Sequence, residues 1–202
     1  MPTLYRCRTA LSEVAALCDA SAPAAADWSG ELWPNRIGLI VRATPEGRII
    51  EAMRWNLPAP LGPPDAKAEP RTTVWFREFL RDARHLHAPS SRCLIITDSF
   101  AFPDGNDGSR TRTWYGFEDR PIFAWAGIWH HNGKQPGFCG FHAPATAPVT
   151  PGQAMPAILD PSEYRTWLEA DLAEASPLVR RERIWPGLYR EETEQPWGAD
   201  WS

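Results

Sequence analysis

No stretch of this 202-residue chain approaches the ~20 consecutive apolar residues of a membrane-spanning helix, so no membrane partner is expected. The charged opening MPTLYRCRT has no apolar run behind it, so no secretory signal is expected there and the cytoplasm is the default location. Zinc spacing is also missing. The four cysteines, Cys7, Cys18, Cys93 and Cys139, form no CxxC pair. His130 and His131 are adjacent, and His85 and His87 lie two apart, neither a good ligand spacing. No metal and no organic cofactor is expected, and the cysteines read as reduced and buried. A basic excess is lacking too: the net charge is −4 and the pI about 5.7, which excludes a bulk field that steers DNA inward. The charge is uneven. Residues 1–115 carry 14 Lys and Arg against 13 Asp and Glu, whereas residues 116–202 carry 7 against 12, which leaves room for a local basic groove. There is no internal repeat, so a single domain over residues 1–202, acting as a monomer, is expected.

The apolar content, 43%, is ordinary for a globular protein, but eleven tryptophans are not. Most are expected to fill the core. One or two rings stacking on bases is the functional alternative.

Along the chain, residues 11–20 read as a short helix, with Leu11, Val14, Ala15 and Cys18 at helical spacing. Residues 21–35 read as a Pro- and Ala-rich loop. Residues 36–43 and 47–55 read as a hairpin around TPEG. Residues 56–70 hold five prolines and are expected to be irregular, and a loop of that length in a compact domain is often functional. Residues 74–86 pattern as one amphipathic helix with Phe76, Phe79, Leu80 and Ala83 on its apolar face. Strands are expected over 92–97, 111–117, 121–129 and 137–143, with turns or loops over 102–109 and 146–156. Asp160-Pro161-Ser162-Glu163 is a helix start, with the helix running to about Ala173. The tail is expected to be extended. Short strands with few helices give an α+β class: a central curved antiparallel sheet or barrel with peripheral helices.

The start MPTLYR and the segments RCLIITDSFAF, TRTWYGFEDRPIFAWAGIW and AMPAILDPSEYRTWL together resemble the SRAP family, the SOS response-associated peptidases. The resemblance spans nearly the whole chain and implies the same fold. It also implies single-stranded DNA binding, a role in the DNA-damage response and covalent capture of abasic sites. In that family an amino-terminal cysteine, exposed by loss of the initiator methionine, closes a thiazolidine on the ring-opened sugar.

The reactive positions depart from the family's pattern. Pro2 stands at the nucleophile. Cys7 lies five positions on, has no adjacent free amine, and reads as a buried core thiol. The family's Asn-Ala-Arg-x-Glu segment is matched by Asp65-Ala66-Lys67-Ala68-Glu69, which loses the amide donor and the bidentate guanidinium; a plain solvated loop is the other reading. Phe102 stands where the family has its acid-base glutamate. Asp104, two residues on, reads as a turn residue. Gly152 stands where the family has its histidine.

Three readings follow. The first is a non-catalytic binder of single strands, with Arg6, Arg42, Arg54, Lys67, Arg77, Arg110 and Arg112 along a groove and Trp55 or Trp114 as a stacking surface. Met53-Arg54-Trp55-Asn56 resembles the family's Met-x-Trp-Gly, with Asn56 tolerated because Asn visits positive φ. The second is a Schiff-base enzyme in which processed Pro2 attacks an abasic aldehyde, assisted by Asp65 or Glu69. The third is a scaffold that reuses the groove for a small ligand or a protein. Peptidase chemistry lacks a nucleophile–base pair: Ser99 and His142 are far apart in sequence.

Overall fold

The computed structural model describes residues 4–57, 71–131, 136–150 and 154–198. The chain enters through β1 (Leu4–Arg6) and α1 (Leu11–Cys18), then two short strands, β2 (Ala20–Ser21) and β3 (Glu31–Leu32). A hairpin follows, β4 (Ile37–Thr44) and β5 (Gly47–Trp55). Next come β6 (Thr73–Trp75), α2 (Phe76–Asp82), β7 (Arg92–Thr97), β8 (Ser99–Asp104), β9 (Thr111–Phe117), β10 (Phe123–His131) and β11 (Pro136–Pro144). The last elements are β12 (Ala154–Pro156), β13 (Ile158–Leu159), α3 (Tyr164–Glu169), α4 (Leu172–Arg180) and β14 (Leu188–Pro196).

The class is α+β, with two sheets. One is antiparallel in the order β14-β9-β8-β1-β3. The other runs β12-β11-β10-β7-β4-β5-β2, and β5 pairs back onto β11. Strands β11, β10, β7, β4 and β5 therefore close into a ring of pairings, a small barrel. The closure is not wholly antiparallel, as the sequence suggested: β5 and β6 both run parallel to β11, and β2 runs parallel to β5.

The hairpin forms where its turn residues direct. Gly47 takes φ +131°, open to glycine at little cost, and the Thr44 hydroxyl donates to the Gly47 carbonyl at 2.9 Å. Every residue of β7 is buried. α3 lies over it, and the Trp167 indole donates to the Cys93 carbonyl at 2.9 Å. Five of the ten described tryptophans, Trp55, Trp114, Trp125, Trp167 and Trp185, are buried, so core filling accounts for half of them rather than most. Tyr5 and Trp55 meet edge to face at 4.8 Å, with Trp125 at 6.0 Å from Tyr5. Gly140 lies so close to Trp125 that an added Cβ would come within 2.6 Å of its ring.

Five expectations are corrected. Residues 74–86 do not make one helix: Thr73–Trp75 pairs with β11, α2 covers only Phe76–Asp82, and Ala83 ends it at φ −127°. The β-branched and aromatic pair Val74-Trp75 favours the strand. Leu80, expected on the buried face, is 38% exposed. The helix begun at Asp160 breaks at Ala170, because Asp171 caps a second helix by accepting from the Glu174 backbone at 2.9 Å. Arg92 donates to the Ala170 carbonyl and closes the first helix's end. The Asp160 start itself is as expected: its side chain accepts from Ser162 N at 3.1 Å, and Glu163 reaches back to Asp160 N at 2.9 Å. Strand β8 runs on through Phe102 to Asp104, leaving the turn to Gly105–Arg110. Within the two expected loops 21–35 and 146–156, β3 and β12 each add a short pairing.

Candidate functional site

The residues expected to carry chemistry at the amino terminus and in the Pro-rich loop, Pro2, Asp65, Lys67 and Glu69, lie outside the described residues, as does Gly152. Phe102 is described. It is 2% exposed on β8, with its ring edge-on to Phe100 at 5.9 Å and Tyr115 at 5.7 Å. Nothing at that position moves a proton. Asp104, two residues on, accepts from Gly105 N at 2.8 Å, which holds its carboxyl below the usual range, and from Arg190 at 2.9 Å. The first contact opens the turn, and the second is an ion pair from the end of β8 to β14 rather than the local contact expected of a turn residue.

The thiols offer no substitute nucleophile. All four cysteines are buried and unpaired, and burial pushes Cys7 and Cys18 up to about 12. Ser99 donates to Asp98 at 2.6 Å and does not meet His142.

Most of the expected DNA-binding arginines are engaged within the chain. Arg6 lies over the Trp114 ring at 3.4 Å and donates to Glu31 and to Gln195, each at 3.3 Å. Arg112 donates to the same Glu31 at 2.7 Å and to the carbonyls of Pro196 at 2.8 Å and Gly198 at 3.1 Å. Together they tie β1, β3 and the tail to the five-stranded sheet. Arg110 pairs with Asp107, and Arg42 with Glu51. Arg54 donates to the Asn35 carbonyl at 2.6 Å. It is Asn35, not Asn56, that takes positive φ, at 73°.

The stacking surfaces expected of Trp55 and Trp114 are not open: they are 0% and 1% exposed, and the Trp55 indole donates to Thr72 O at 2.8 Å. Trp55 is a core residue that sequence pattern mistook for a surface one. Trp55→Ala is expected to cost roughly 3–5 kcal/mol of folding stability in urea titration through the cavity it leaves, by the usual scale for large aromatic truncations.

Arg77 alone among the described candidates lies in a cleft. Its volume is about 520 Å³. β6 supplies Trp75, 37% exposed; α2 supplies Phe76, Arg77 and Leu80. Strand β11 supplies His142 and Pro144, and the end of α4 supplies Val179 and Arg180. Register explains the meeting: His142 pairs with Trp75 on one side and with Pro156 of β12 on the other. Trp75 and His142 pack edge to face at 5.2 Å. Among the described residues, the lining carries two exposed arginines and no carboxylate.

His142 is 1% exposed, and neither ring nitrogen has a hydrogen-bond partner. Tyr5, Arg92, Trp114, Trp125 and Tyr164 also carry unmet buried atoms; of these six residues, His142 lines this cleft. An unmet buried polar group costs about 1–3 kcal/mol. Burial lowers the His142 pKa to about 4, so the ring is neutral at pH 7. Trp75, His142 and Arg180 were not read from the sequence as site residues; the Arg77 position, next to a partly exposed Trp in an otherwise apolar helix start, is the one local signal. Among the described residues, no three His, Cys, Asp or Glu side chains converge to hold a metal, and no helix is long and apolar enough to cross a membrane.

This is an α+β protein built on a closed mixed sheet with an aromatic, arginine-rimmed cleft. No family model and no curated protein matches the sequence. Solved structures share the fold. A protein from Bordetella bronchiseptica superposes with a TM-score of 0.79 at 18% identity, covering 95% of this chain and 99% of that one. A phage-related protein from the same organism gives 0.75 at 13%, covering 96% and 94%. A Bacteroides thetaiotaomicron protein gives 0.68 at 14%, covering 94% and 91%.

Proposed function

We propose that this is a SRAP-like strand-binding module, linked to the DNA-damage response, that holds single-stranded DNA weakly and has lost the family's covalent chemistry. The observation that carries the reading is the cleft: a partly exposed tryptophan with Arg77 and Arg180 at its edge and, among the described residues, no acid in its lining. An aromatic face takes any base, and two guanidiniums take the phosphates beside it. His142 and Pro144 of the cleft pair with Pro156 and Ala154 of β12. Phe102, at the position the resemblance gives to the acid, is buried and carries no proton, which supports the loss of the covalent step.

The test is fluorescence anisotropy of a labelled single strand. Two phosphate contacts give a log–log salt slope of about −1.4, so affinity should fall roughly sevenfold between about 50 and 200 mM salt. Arg77→Ala and Arg180→Ala should each reduce that slope by about half. Trp75→Ala should cost about 1–3 kcal/mol of binding. A flat titration at low salt removes this reading and leaves the scaffold or small-ligand role.

A further inference from the structure

Within the cleft, one buried side chain is left without a partner. His142 offers a nitrogen donor and a nitrogen acceptor that nothing among the described residues satisfies. A volume of about 520 Å³ falls within the usual range of small-molecule pockets, about 300–1,000 Å³, and is larger than a strand backbone alone needs. Trp75 supplies a ring face, and it packs edge-on against the histidine itself.

Resting on the strand-binding reading above, we propose that this cleft is a one-base pocket. A single base of the bound strand leaves its stack, lies against Trp75 and hydrogen-bonds His142. Arg77 and Arg180 hold the phosphates on either side. The chemistry selects this occupant over a buried phosphate. The imidazole is uncharged at neutral pH, so it suits a neutral base edge with its mixed donors and acceptors. The cations stay at the exposed edge, where a backbone passes. Phe76 and Val179 supply apolar lining that a flat heterocycle covers and a sugar-phosphate does not.

The experiment compares two labelled single strands of equal length: oligothymidine, and a base-free strand of tetrahydrofuran spacers. The parent protein should bind the base-bearing strand more tightly. His142→Phe keeps the bulk and removes both nitrogens. It should weaken oligothymidine roughly 5- to 10-fold, by the usual worth of a hydrogen bond, and leave the spacer strand unchanged. His142→Gln should recover part of that loss. Trp75→Leu, at a partly exposed position that tolerates change, should show the same split between strands, and keeps the test valid if His142→Phe melts early. Equal binding of the two strands by the parent, or equal losses on both in the variants, overturns the pocket while strand binding stands. Absence of binding to either strand at low salt overturns both.

Discussion

Incubated with single-stranded DNA that carries an abasic site, the purified protein is expected to keep its mass. Thiazolidine closure needs a thiol and an amine on the same residue, and this chain has Pro2 at that place. Its remaining thiols are buried and held protonated by burial. Intact-mass spectrometry reads the outcome directly: one peak for the protein, none for the sum. A borohydride arm separates the other chemistry open to the chain. A secondary amine at Pro2 gives a reducible iminium, so a mass gain seen only with borohydride would move the assignment to a Schiff-base enzyme. Pro2→Cys restores the thiol and amine but not a proton carrier. With Phe102 buried where the family has its acid, such a variant should react roughly 10²–10⁴-fold more slowly than a family member with the full set, the usual worth of general acid–base help. Efficient permanent attachment by the natural chain would overturn the residue pairing.

The fold was legible where the signal is local. TPEG between two apolar runs gives the β4–β5 hairpin, and Asp160-Pro161 with Glu163 gives a capped start, because turn and cap chemistry involve only neighbouring residues. The continuous apolar run RCLIIT reads as a strand covered on both faces, and it is one. Closure of the barrel was not legible, since β5 meets β11 more than 80 residues away and no local pattern encodes a parallel pairing. The break at Ala170 was hidden because Ala, Leu and Glu continue a helical composition across it, and only Asp171's bond to Glu174 ends the first helix. The candidate site suffered most. Arginine and tryptophan read alike whether they face water or clamp the chain. Glu31 binds Arg6 and Arg112 from a strand that the sequence showed as a loop, so neither was recognisable as structural. The cleft itself draws on four elements, and His142 enters it only through register.

A glutamate at position 102, where the SRAP resemblance implies an acid, tests how far that position is closed to water. Phe102→Glu should destabilise the protein, and the penalty should grow with pH. The ring is 2% exposed and sits edge-on to Phe100 and Tyr115, which stack on each other at 5.5 Å. Removing such a ring costs about 3–5 kcal/mol before any charge is considered. A carboxyl placed there is desolvated, so its pKa rises in the folded state above the ~4.3 of an unfolded chain. The folded protein then binds the proton more tightly than the unfolded one does. Relative stability is therefore greatest below the unfolded value and falls as pH climbs through the window up to the raised folded value. Urea titrations at pH 5 and pH 8 should show the larger deficit at pH 8. Phe102→Leu, which keeps an apolar side chain, should show a smaller deficit with no pH dependence. A Phe102→Glu deficit that is flat with pH, or shrinks as pH rises, would mean that the side chain at 102 reaches water. In that case a single substitution would suffice to put an ionised carboxyl there.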